Sequence, residues 1–221
     1  MYQVDLPTIP DPPENPREAF QALLEFLKEI GHPLMTRLND EYMARTGKEI
    51  QDAWVAKFGK KKKFNFGVAY SEFPGLHGKA MDESEAIVSQ VAELKGSVES
   101  LLPGLAAQCE VFPGEAWNMA GEVYEGTYSS QGWGAVRYAQ ASADLRAQEY
   151  IAHGLAAKVE PAGHNYKIMV KACPLDIQIV QHKESKISLR DWVQACYRNG
   201  VNPRVFNPYL PYGYEQANGI Y

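Results

Sequence analysis

Proline is concentrated at the two ends of this chain, and that restricts what it can fold into more than any other feature. Pro7, Pro10, Pro12, Pro13 and Pro16 fall within the first sixteen residues and Pro203, Pro208 and Pro211 within the last nineteen, together eight of the fourteen prolines. Proline fixes φ and has no amide hydrogen, so neither end can be a helix interior or a central strand. Residues 1–15 read as one extended arm and 201–221 as another. The second arm also carries Gly213, Gly219, Phe206, Tyr209, Tyr212, Tyr214 and Tyr221. Disordered tails are poor in aromatics, so these five rings are expected to dock, either on this chain or on a neighbour.

Between the arms, apolar spacing predicts an α+β protein. Asn15 as N-cap, Pro16 at the first helical position and Glu18 open a helix that runs to about residue 30. Phe20, Leu23, Leu24, Leu27 and Ile30 line its inner face, and Gly31 is the stop. A second helix is predicted over 34–46, ended by Gly47, and a third over 49–58, ended by Gly59, giving an N-terminal three-helix bundle inside a 16–70 region. Lysines at 60–63 make a basic turn that 64–70 leaves as a strand, and 73–78 reads as a Gly/Pro loop.

Residues 71–200 are expected to form an α+β body. Asp82 and Glu85 start a helix that breaks at Pro103 and Gly104, and 112–134 reads as turns with short strands. A helix follows over 136–158, then a hairpin of 166–172 and 177–181 around Cys173 and Pro174. Ser188 and Asp191 cap a last helix that stops at Asn199 and Gly200. The helices are expected to pack on a small antiparallel sheet.

With 221 residues, 45% of them hydrophobic, the chain can bury a core without covalent staples. Cys109, Cys173 and Cys196 are odd in number, widely spaced and without a Cys-x-x-Cys pair. They read as free thiols in a reducing compartment, with Cys173 and Cys196 as small buried residues. No apolar run approaches the roughly 18 residues of a spanning helix, and the start lacks the order of a secretion signal, so a cytoplasmic or virion location without a membrane partner is expected. A net charge of -5 argues against a surface given over wholly to nucleic acid.

No constellation points to catalysis, to a metal or to a cofactor. There is no Gly-x-Ser-x-Gly elbow, and Ser129 and Ser130 lack the strand-to-helix turn that exposes a nucleophile. Residues 75–80 have too few positions between glycines for a phosphate loop, and Ala80 stands where a magnesium-binding hydroxyl belongs. His32, His77, His153, His164 and His182 show no one-turn pairing on a helix. Glu122 and Glu125 read as solvated carboxylates.

Two functions lead, with an enzyme whose cleft is assembled from distant residues as a third class. The first is a non-enzymatic assembly protein, in its most concrete form a viral or phage virion component. Its arms would contact copies of itself or other subunits through Phe206, Tyr209, Tyr212, Tyr214 and Tyr221, because tyrosine offers large contact area for two side-chain torsions. The second is a nucleic-acid-binding module with a basic-aromatic wing at 57–70. There Lys57, Lys60, Lys61, Lys62 and Lys63 would meet phosphates while Phe64 and Phe66 stack on bases. Residues 1–70 carry ten basic and ten acidic side chains, so that contact would be narrow and salt-sensitive.

Overall fold

The computed structural model describes residues 4–125, 133–163, 165–205 and 207–220. The chain is mixed α+β and divides into two units, Met1–Leu102 and Pro103–Tyr221.

The first unit is helical. Helix α1, Pro16–Glu29, begins as expected: the Asn15 side chain accepts from the amides of Arg17 and Glu18, and Ala19, Phe20, Leu23 and Phe26 are buried. Next comes α2, His32–Phe58, one helix of 27 residues where two were expected. Gly47 does not end it, although a helical glycine costs about 1 kcal/mol relative to alanine. The reason is tertiary. Helix α4, Pro74–Gln108, clips α2 on both sides of Gly47. On one side Tyr42 donates to the Ala80 carbonyl at 2.5 Å and Arg45 to Glu83 at 2.5 Å; on the other, Lys79 meets Glu49 at 3.1 Å.

Two further expectations fail in this unit. Residues 64–70 are not a strand, because Asn65 accepts from the Val68 amide and caps a short helix α3, Phe66–Glu72. Nor is 73–78 a loop: Pro74 sits at the first position of α4, where its missing amide hydrogen costs nothing. That helix also runs through Pro103 to Gln108, so the expected break there does not occur. The N-terminal arm lies against its own unit, with Val4, Leu6 and Ile9 half-buried and the Val4 amide donating to Gln90 of α4 at 3.2 Å.

The second unit is built on an antiparallel sheet in the order β1-β3-β2: β1 is Pro113–Glu125, β2 Ala156–Ala162 and β3 Asn165–Ala172. Register along β1 shifts between Pro113 and Trp117 and again between Met119 and Val123. Gly114 is needed at the first irregularity, since a Cβ there would lie 3.0 Å from the Ala172 Cα. Helix α5, Trp133–Ala152, and helix α6, Pro174–His182, bury one sheet face. Ala143, Ala147, Tyr150, Ile177 and Val180 pack there with Ile168, Val170 and Ala172 of β3.

Helix α5 stops six residues earlier than expected. Gly154, at φ 89°, sends its amide to Ile151, and the Leu155 amide reaches back to Tyr150, which closes the helix and buries Leu155 in the core. Residues 177–181 belong to α6 and not to a hairpin strand. A stretch of five apolar-rich residues has no decisive period; Pro174, at the first helical position, starts the turn. Cys173 caps this helix and is exposed, against the expectation of burial, with its thiol donating to Asp176 at 2.7 Å. Cys109 and Cys196 are buried, and all three cysteines are free. The last long helix, α7, Leu189–Arg198, is capped by Ser188 as expected.

Candidate functional site

The C-terminal segment folds back on α7. Gly200 takes φ 68° and its amide bonds Tyr197 at 2.9 Å while the Val201 amide bonds Cys196 at 3.0 Å, so the helix ends and the chain reverses. A 3-10 turn at Pro203–Val205 and a short helix α8, Tyr214–Ala217, follow, where no regular structure was expected. Leu210 and Ile220 bury themselves on Val193 of α7, flanked by Trp192 and Tyr214. Arg204 ties the segment to itself, donating to the Leu210 carbonyl, to the Pro211 carbonyl at 3.1 Å and to Glu215 at 3.2 Å. Glu215 also accepts from the Tyr197 hydroxyl at 3.0 Å. Its own backbone amide, with the Tyr197 hydroxyl and the Arg204 guanidinium, holds the carboxyl below its ordinary pKa.

Of the expected interface rings, Tyr209 is 93% exposed and Tyr212 is 102% exposed. They stand on either side of buried Leu210, on a segment pinned by Arg204. Tyr214 turns inward, and Phe206 and Tyr221 lie outside the described residues. Sequence reasoning missed the anchors, Leu210, Ile220, Arg204 and Glu215. The available signal was on the receiving side: Trp192, Val193 and Cys196 form a short apolar stripe on α7 that requires a cover.

The lysine-rich turn resolves differently. Trp54 is buried with Ile50 and Ala69, and Phe58, Phe64 and Phe73 pack around it. Phe64 meets Trp54 edge-on at 5.5 Å between centroids. The Trp54 Nε1–H donates to the Lys62 carbonyl at 3.2 Å, and the Lys62 ammonium lies 3.7 Å from the Phe58 ring centre. Lys57 pairs with Glu72 at 2.5 Å, which lowers the pKa of that carboxyl. Lys60, Lys61 and Lys63 are exposed, and the side chain of Phe66 lies outside the described residues. The structure therefore brings Lys57, Lys62 and Phe64 together around a buried tryptophan, with Phe64 committed to packing.

Groups suited to chemistry are dispersed. A groove of about 460 Å³ between α5 and α7 is lined by Asp144, Gln148, Lys186, Asp191 and Arg198. Burial raises the pKa of Asp144 against a hydrogen bond from Asn199 that lowers it. No histidine or serine nucleophile lines that groove. His153 lies 3.2 Å from the Glu184 carbonyl, and burial lowers its pKa. His182 lies 2.9 Å from the Gln178 carbonyl, His32 3.3 Å from the Thr36 hydroxyl, and His77 packs on Tyr70. Burial pushes the Cys196 thiol up to about 11, so it stays protonated.

Among the described residues, no three histidine, cysteine, aspartate or glutamate side chains gather as a metal site. No described helix is long and apolar enough to cross a membrane. Residues 75–80 are the first turns of α4, while His164, Ser129, Ser130 and the side chains of Glu122 and Glu125 lie outside the described residues. The chain matches no family model, no curated protein and no solved structure.

Proposed function

We propose that this chain is a non-enzymatic assembly protein, contacting copies of itself or other subunits through its C-terminal segment, with a virion component as the most concrete form. The observation that supports the reading is the full exposure of Tyr209 and Tyr212 on a segment whose backbone is already fixed by Arg204, Leu210 and Ile220. Ordering a flexible arm on binding costs free energy for each residue; a pre-folded one avoids most of that cost. Two rings held outward at fixed positions then add contact area at little entropic loss.

Size exclusion with light scattering tests this. The full chain is expected to run as a multiple of 24.7 kDa, and the double variant Tyr209→Ala/Tyr212→Ala as a monomer with unchanged circular dichroism. A wild-type chain that stays monomeric at high concentration, alone and with extract from its source, would sink the proposal.

The nucleic-acid reading of 57–70 narrows to phosphate contact by Lys60, Lys61 and Lys63, the exposed members of the cluster without a ring or carboxylate contact described above. Replacing these three with alanine should flatten the salt dependence of any oligonucleotide binding through this turn.

A further inference from the structure

Among the described residues no helix packs on one face of the three-stranded sheet, and its side chains differ sharply in kind from those of the buried face. On β3, Ile168, Val170 and Ala172 point into the core, so Lys167, Met169 and Lys171 take the other side. Register then aligns Trp117 with Lys171, Met119 with Met169, and Lys158 with Met169 from the opposite strand. Trp117 is 41% exposed and Met119 53% exposed, values high for large apolar side chains in strands. The Lys158 ammonium lies 4.5 Å from the Trp117 ring centre, and Glu160 draws Lys158 to 2.8 Å and Lys167 to 3.2 Å. Lys158, Lys167 and Lys171 thus gather around an accessible indole, with Glu160 paired to two of them and exposed Glu115 two residues before Trp117 on β1, on a chain that is acidic as a whole.

We infer that this open face, centred on Trp117 with Lys158, Lys167 and Lys171, binds single-stranded nucleic acid. Charge and shape both select that occupant. An unpaired strand offers phosphates to lysines and a π-face to tryptophan at once, which is how sequence-tolerant single-strand binders work. A duplex keeps its bases stacked inside and offers the indole nothing. Lys158 occupies the position over the ring that a base would take; an arriving base displaces the ammonium toward an adjacent phosphate, while Met119 and Met169 give the base an adaptable apolar floor. Lys167 and Lys171, four residues apart on β3, span about 13 Å of strand, enough to engage separate phosphates. This surface lies in a different unit from the lysine turn at 60–63, and neither its position nor its chemistry follows from the assembly proposal.

Fluorescence anisotropy of the full-length protein with labelled oligothymidylate and oligouridylate tests the inference. Wild type should bind at low salt, with log affinity falling against log salt at a slope near −2, as expected for roughly three phosphates on a single strand. Trp117→Ala should weaken binding by at least about five-fold, the low end for one stacked base, while Trp117→Phe retains most of it. Lys158→Gln/Lys171→Gln should shallow the slope by about 1.4. Lys60→Ala/Lys61→Ala/Lys63→Ala should leave binding unchanged. The inference is overturned by absence of binding at low salt, or by equal affinity for a duplex of the same length. It is overturned too by heparin-like binding indifferent to Trp117, or by binding that only the 60–63 variant abolishes.

Discussion

The turn that follows α2 and the segment that follows α7 look alike in composition, each crowding aromatic rings with charged side chains, yet the first buries its core with rings and the second mainly with aliphatic side chains. Around Trp54 the rings go inward and the ammonium groups of Lys57 and Lys62 lie over them, giving a small self-sufficient core. Around Val193 two aliphatic side chains, Leu210 and Ile220, go inward with Tyr214 packed against them, and Tyr209 and Tyr212 are left in solvent. The difference lies in what each segment can reach. Residues 54–73 carry their own partners, because a helix, a turn and a second helix bring Trp54, Phe58, Phe64 and Phe73 to one place. The described residues after α7 form only a 3-10 turn and a four-residue helix, so they borrow the apolar stripe of α7, where Leu210 and Ile220 are buried and Tyr214 packs against them.

Breaking each side of that comparison gives a ranked set of outcomes. The largest effect is expected from Trp54→Ala, which empties the centre of its cluster and should destabilise the first unit by about 3–5 kcal/mol in denaturant unfolding. Leu210→Ala should cost about 2 kcal/mol, being a smaller side chain in a smaller cluster. Its loss should appear as faster hydrogen exchange over 201–220 with the sheet unaffected.

Acid sharpens the contrast further. The folded pKa of Glu215 is depressed, so its contribution is complete above the ordinary value of 4.5 and disappears as pH falls through the lowered folded value. Limited proteolysis in strong acid should therefore release the C-terminal segment of wild type, whereas Glu215→Gln should be equally susceptible at about pH 3 and about pH 6, on either side of a lowered carboxylate titration. Least of all, Tyr209→Ala and Tyr212→Ala should each change stability by less than about 0.5 kcal/mol, as exposed side chains do, whatever they do to assembly. A larger loss would mean that the rings serve the fold.

What the sequence made legible was the set of features decided within one turn of chain. Asn15 with Pro16, Ser188 with Asp191, and Gly200 mark helix ends because capping needs only neighbouring amides, and each stands where its spacing predicted. Gly47 and Pro103 were misleading for the opposite reason: local propensity favours a break, and contacts made some forty residues away in the case of Gly47 override it. Residues 64–70 and 177–181 are short enough to satisfy a strand pattern and a helix pattern alike, and Asn65 as N-cap and Pro174 at the first helical position were the signals that tell them apart. The exposed sheet face was illegible. Trp117 and Met119 sit between register shifts in a glycine-rich stretch, and only pairing with β3 reveals that they share a side with Lys158 and Lys171.

The two register shifts of β1 carry a consequence for how such a protein meets its neighbours. A sheet of three strands has two open borders, and a regular border is a template on which another chain can continue the ladder. Here one border is interrupted twice, at residues 113–117 and 119–123, and the other includes Pro161, which has no hydrogen to donate. Copies crowded together are thus denied the shortest route to fibrils. Edge-to-edge pairing between copies is therefore disfavoured at both borders.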